Sequence, residues 1–200
     1  MLNALKLSEL LNKNTNAQLY PRLFVMSPNG TLMAYTTPID IRELRDQAAL
    51  ISMAWKDHSS KLSSNPESSN SELPPALETL TIETANNNII ARAIQPSLLL
   101  VLVGGVPPSR KELFMITPEA RGDARYPPLP GEEDEAGSKG TVVGSGGKAP
   151  SVLSTMSIRE KDVKGGALHI QRKKLDALTD YLRRDFDAKG FVMPDDSSFS

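Results

Sequence analysis

Apolar and polar positions change period several times along this chain, and each change marks an element. Leu2, Leu5, Leu10 and Leu11 recur at helical spacing and predict a short amphipathic helix over 3–14. Pro21-Arg22-Leu23-Phe24-Val25-Met26-Ser27 reads as a strand. Pro28-Asn29-Gly30 follows as a turn, because Asn-Gly supplies the positive φ of a tight hairpin, and Thr31–Thr36 is the returning strand. Asp40 is placed to cap a long helix over 40–60. Leu77–Thr84 alternates as a strand, Asn86-Asn87-Asn88 turns the chain, and 89–94 and 98–103 are two more strands, separated by Gln95-Pro96-Ser97. Leu168, Leu175, Leu178, Leu182 and Phe186 then restore the helical period over 166–187.

The expected order is therefore αββαβββα. Tight turns join the strands, except where the central helix intervenes, so a five-stranded antiparallel sheet is expected. Leu98–Val103 is apolar at every position and belongs at the sheet centre, covered by helices on both faces. The fold class is α+β, a three-layer sandwich.

The second helix is the most informative element. Ile41, Leu44, Ala48, Ile51 and Trp55 form one stripe at spacings of three and four. Ala49, Leu50, Met53 and Ala54 widen it to nearly the full circumference in the second half, where only Ser52 interrupts Ala48 to Trp55. A helix apolar on one face packs on its own sheet; one apolar nearly all round calls for a second partner. Dimerisation through this helix is expected. Leu77–Thr84 is expected at the sheet edge, where its unpaired backbone groups invite pairing with a partner strand. The expected interface is Ile41, Leu44, Ala48, Ile51, Ser52 and Trp55 on the helix, with Leu77, Thr79 and Thr81 on the strand.

Composition changes the picture between 105 and 164. Ten of the 13 glycines lie between Gly104 and Gly165, with seven of the 15 prolines and the acidic run Glu132–Glu135. Such a stretch buries too little apolar area to offset chain entropy. The expectation is one domain over 1–187, interrupted by a disordered insertion at 105–164 and followed by a flexible tail at 188–200. A net charge of −1 excludes nucleic-acid binding driven by bulk charge. The absence of cysteine excludes disulfides and thiolate chemistry and fits a reducing compartment. The Met1–Leu11 segment lacks the apolar run of a secretion signal, and Leu98–Val103 is far too short to span a bilayer. A soluble intracellular protein without direct transmembrane insertion is expected.

Catalytic chemistry is not legible. His58 and His169 are expected to be solvated, with no orienting carboxylate or nucleophile in a recognisable pattern. Gly144-Ser145-Gly146-Gly147-Lys148 fails as a phosphate loop, since Val142 stands where the first glycine belongs and Ala149 follows the lysine. Gly104-Gly105 lacks dinucleotide-binding spacing. Arg172-Lys173-Lys174 and Arg183-Arg184 are expected on the polar face of the last helix, while Ser27, Thr117, Ser151, Ser154 and Ser157 are candidate phosphoacceptors. No catalytic residue, cofactor or metal site is expected.

The opening leucine-rich helix, the hairpin Leu23 to Tyr35 with its Asn29-Gly30 turn, the helix ending in Ala54-Trp55 and the closing segment Leu168 to Phe186 together resemble the roadblock/dynein light-chain family. The likeness covers about 1–104 and 166–187, and is greatest to the branch serving as the roadblock-type late endosomal/lysosomal adaptor subunit of the Ragulator complex. It implies a roadblock-like αββαβββα fold that pairs through the second helix and third strand. It also implies a non-enzymatic scaffold at the cytoplasmic face of the late endosome, lysosome or vacuole. The implied partners are a roadblock-like subunit, a lipidated wrapping subunit and Rag-type small GTPases, in nutrient signalling to the TOR kinase. Two other roles within the family are a homodimer regulating a small GTPase and a dynein light-chain-like motor adaptor.

Overall fold

The computed structural model describes residues 3–64, 76–106, 114–121 and 166–194. Helix α1, Ala4–Lys13, starts at Asn3, whose side chain accepts from the Lys6 backbone N–H at 3.1 Å. Strands β1, Arg22–Met26, and β2, Leu32–Tyr35, form a hairpin. Gly30 takes φ 95° in the turn, a conformation that glycine adopts without steric cost. Asp40 opens helix α2, Ile41–Ser64, accepting from Arg42 N–H at 2.8 Å. Strands β3, Leu77–Glu83, β4, Asn87–Gln95, β5, Leu98–Gly105, and β6, Met115–Ala120, follow, and helix α3, Ala167–Ala188, closes the order.

All six strands form one antiparallel sheet in the order β2-β1-β5-β4-β3-β6. The apolar strand β5 lies between β1 and β4, and Leu98–Val103 is buried throughout. Helices α1 and α3 cover one face, setting Leu7, Leu11, Leu175 and Leu182 against Val25, Ile90, Leu100 and Leu102. Helix α2 covers the other, setting Leu44, Ala48, Ile51 and Trp55 against Phe24, Leu80, Leu99 and Val101. This is the expected three-layer α+β sandwich.

Three expectations need correction. The sheet has six strands instead of five, because Met115–Ala120 pairs with β3 from within the stretch expected to be disordered. A strand needs a ladder of backbone hydrogen bonds as much as apolar bulk, and β6 has one along β3. Its Pro118 is tolerated on an edge strand. Most of the glycines that argued for disorder lie in 122–165, outside the described residues. The second correction is that β3 is not an edge, since β4 and β6 flank it. The third concerns the tail: the Phe191 carbonyl accepts from Gln95 Nε2 at 2.7 Å, Met193 N–H donates to Gln95 Oε1 at 2.8 Å, and the Phe191 ring meets Phe186 edge-on at 5.0 Å. The tail is thus tied down through Met193; 195–200 lie outside the described residues.

One internal tie explains a glycine that sequence reasoning could only dismiss. Gln171, fully buried on α3, donates to Leu19 O at 2.9 Å and Gly105 O at 2.7 Å, and accepts from Asn88 Nδ2 at 3.0 Å. A Cβ on Gly104 would stand 2.3 Å from that amide. Gly104 therefore leaves the space that the Gln171 side chain fills, and a larger residue there displaces it.

Candidate partner interface

Helix α2 is amphipathic in the sense the periodicity implied, but its stripe faces inward. Leu44, Ala48, Ile51 and Trp55 are buried against this chain's own sheet. Ser52 is buried as well, donating its hydroxyl to Pro28 O at 2.7 Å and fastening α2 to the hairpin turn. Leu77 joins the same core, and Thr79 and Thr81 are buried on the opposite face of β3. Of the nine residues expected at the interface, only Ile41, 40 % exposed, reaches solvent freely. The expectation that Ile51 and Trp55 await another polypeptide is therefore corrected: sheet contact accounts for both.

The outward face of α2 carries Arg42, Asp46, Ala49, Met53 and Lys56, with Leu50 half-buried at its margin. Met53 is 72 % exposed. This face is a methionine and an alanine framed by charges, the pattern of a modest contact surface with a polar rim. On the sheet side, α2 packs over β3 and β6, so its outward face and that end of the sheet are neighbours. The inner end of α2 is oriented by Arg22 on β1, which donates to Gln47 Oε1 at 2.8 Å and Glu43 Oε2 at 2.9 Å. The Arg22 guanidinium, hydrogen-bonded to Glu43, holds that carboxyl below its usual value despite some opposing desolvation.

Between α3 and the β3–β6 end of the sheet the packing is ionic where elsewhere it is apolar. Arg172 of α3 is buried, donates to Thr81 Oγ1 at 2.8 Å and pairs with Glu119 of β6. Arg92 of β4 pairs with Glu78 at 3.3 Å and with Asp176 of α3. Arg183 reaches Glu78 and the carbonyls of Ala93 and Ile94. This corrects the expectation that Arg172 and Arg183 lie on a solvated polar face. Periodicity sorts charged residues outward, and only knowledge of what faces them on the sheet reverses that. His169 is likewise buried on α3, whereas His58 is half-exposed. Ser27 is buried, and Thr117 is half-buried in β6 opposite Thr81, so neither sits in an open loop. Ser151, Ser154 and Ser157 lie outside the described residues.

Among the described residues no group of three His, Cys, Asp or Glu side chains is placed to hold a metal ion. No helix among them is long and apolar enough to cross a membrane.

No family profile matches the chain, and no curated protein matches it. Solved structures similar to it include a roadblock/LC7 domain from Streptomyces avermitilis, at 13 % identity and TM-score 0.40, covering 50 % of this chain and 76 % of that one. The gliding protein MglB of Thermus thermophilus is similar at 14 % identity and TM-score 0.38, over 51 % of this chain and 70 % of that one. MglB of Myxococcus xanthus is similar at 15 % identity and TM-score 0.36, over 49 % and 74 %. The architecture stands on this chain's own strand pairing: the described elements contain the αββαβββα order, with β6 added.

Proposed function

We propose that this chain is a non-enzymatic adaptor that pairs with a second roadblock-like subunit and helps hold small GTPases. The finer reading is a Ragulator-type scaffold on the cytoplasmic face of the late endosome, lysosome or vacuole. There a lipidated subunit wraps it, and Rag-type GTPases dock for TOR nutrient signalling. The observation that supports pairing is the position of α2 over β3 and β6 at one end of the sheet, where one partner can reach the outward face of α2 and the β6 edge together. A homodimer that regulates a small GTPase is the second reading. It is favoured by the sequence of β3, which, if freed of β6, sets Leu80 opposite Ile82 of its own antiparallel copy with no like charges opposed.

Affinity isolation of the tagged full chain, followed by mass spectrometry, tests the first reading. A roadblock-like protein recovered in near-equal amount, and lost with Met53→Asp, supports it. Recovery of none, while the pure chain is a tight homodimer that accelerates GTP hydrolysis by a Rag-type GTPase, selects the second.

A further inference from the structure

The strand β6 stands where the expected pairing needs an open edge. Its residues run opposite β3 in the order Thr79–Glu119, Leu80–Pro118, Thr81–Thr117, Ile82–Ile116 and Glu83–Met115. Another chain has no access to that edge of β3 while β6 is in place. Yet β3 is suited to pairing with a second copy of itself. In an antiparallel pair centred on Thr81, Leu80 lies opposite Ile82 of the second copy, and Thr79 lies opposite Glu83 of the second copy. Leu80 and Ile82 face α2, whereas Thr81 faces α3, so apolar meets apolar on one face and polar meets polar on the other. No like charges stand directly opposite one another. A two-fold axis requires this self-matching.

We propose that β6 is an intramolecular cap, occupying in cis the edge of β3 that would otherwise pair with the β3 of a second copy of this chain. The inference rests on the homodimer reading above and adds its regulation. The cap has a specific fastening and a weak body. Glu119 is its one buried residue, paired to Arg172 on α3, which also holds Thr81 of β3. The other five residues are half-exposed, and Pro118 contributes no backbone N–H. A tethered strand competes at an effective concentration on the order of millimolar. Against a second copy at micromolar concentration, that is an advantage of about 10³-fold. Release of β6 exposes the β3 edge beside the outward face of α2, which makes the two surfaces one.

The chain's lack of cysteine permits a clean test. In the full chain, Thr81→Cys with Thr117→Cys places two thiols on directly opposed residues, where a disulfide locks the cap. Sedimentation velocity over a concentration series compares this variant oxidised and reduced, and compares wild type with a chain lacking 115–120. The expected result is a locked chain that stays monomeric, the same variant self-associating once reduced, and a deletion variant that self-associates at least about 100-fold more tightly than wild type. If the deletion variant does not fold by circular dichroism, the locked and reduced forms decide alone. A locked chain that self-associates as well as its reduced form overturns the cap and leaves pairing through another surface. Absence of self-association in wild-type, reduced and folded deletion chains also overturns it. In that event, recovery of a roadblock-like subunit by affinity isolation still upholds the adaptor reading, and failure to recover one removes that reading too.

Discussion

Replacing Ile51 by alanine separates an internal role for the α2 stripe from an intermolecular one. Ile51 is fully buried, and its neighbours in the core are Leu44, Ala48 and Trp55 on α2 and Phe24, Leu80 and Val101 on the sheet. Truncation removes three methyl or methylene carbons from a site enclosed by helix and sheet. The lost transfer energy is about 0.8 kcal/mol per carbon. Because the rigid sheet collapses little into the gap, a cavity term adds to this, for a total of about 3–4 kcal/mol. At about 3 °C per kcal/mol for a domain of this size, the melting temperature should fall by roughly 10 °C. Met53→Ala, two positions away and facing out, should change stability by less than about 0.5 kcal/mol. Thermal and urea unfolding of the dilute chain, followed by circular dichroism, measures both. Should Ile51→Ala leave dilute-chain stability within about 1 kcal/mol of wild type while abolishing association, the stripe faces a partner and does not pack on the sheet.

Other expectations follow from the same contacts. Gly104→Ala should cost about 1–3 kcal/mol in urea unfolding, because the new Cβ expels the Gln171 amide from its bonds to Leu19 and Gly105. Arg172→Met alone should cost about 3–5 kcal/mol by removing a buried charge partner of the Glu119 carboxylate, and adding Glu119→Leu should recover most of the loss. Glu43 is held below its usual value of 4.5 by Arg22, so its contribution is fully present above that pH and is lost as pH falls through the lowered folded value. Since Glu43 is half-exposed, the amount is a few tenths of a kcal/mol, and Glu43→Gln should flatten the pH dependence of unfolding in acid by that much.

Most of the architecture was legible because each element carries its own period. The heptad-like spacing of Leu44, Ala48, Ile51 and Trp55, the Asn29-Gly30 turn and the all-apolar Leu98–Val103 each point to one local structure, and all were found there. The direction in which the α2 stripe points was not legible. Apolar breadth on a helix reads equally as contact with one's own sheet or with another chain, and the six-stranded sheet supplies more covering surface than five strands would. Strand β6 escaped notice because Met115-Ile116-Thr117-Pro118-Glu119-Ala120 has a central proline and weak alternation; its order comes from the β3 edge and from Arg172, both distant in sequence. The Arg172–Glu119 and Arg92–Asp176 pairs were hidden for the same reason, since helical spacing sorts charge outward unless the opposite wall is known.

The claim that association occurs at the end of the sheet where α2 lies over β3 and β6 is tested most directly by hydrogen–deuterium exchange of the full chain, alone and bound to the proposed roadblock-like partner. Binding should slow exchange along the outer turns of α2 from Arg42 to Lys56 and change it in β3 and β6, leaving β2 and the α1–α3 face as they were. Protection confined to β2 or to the groove between α1 and α3, with α2 unaffected, would contradict it.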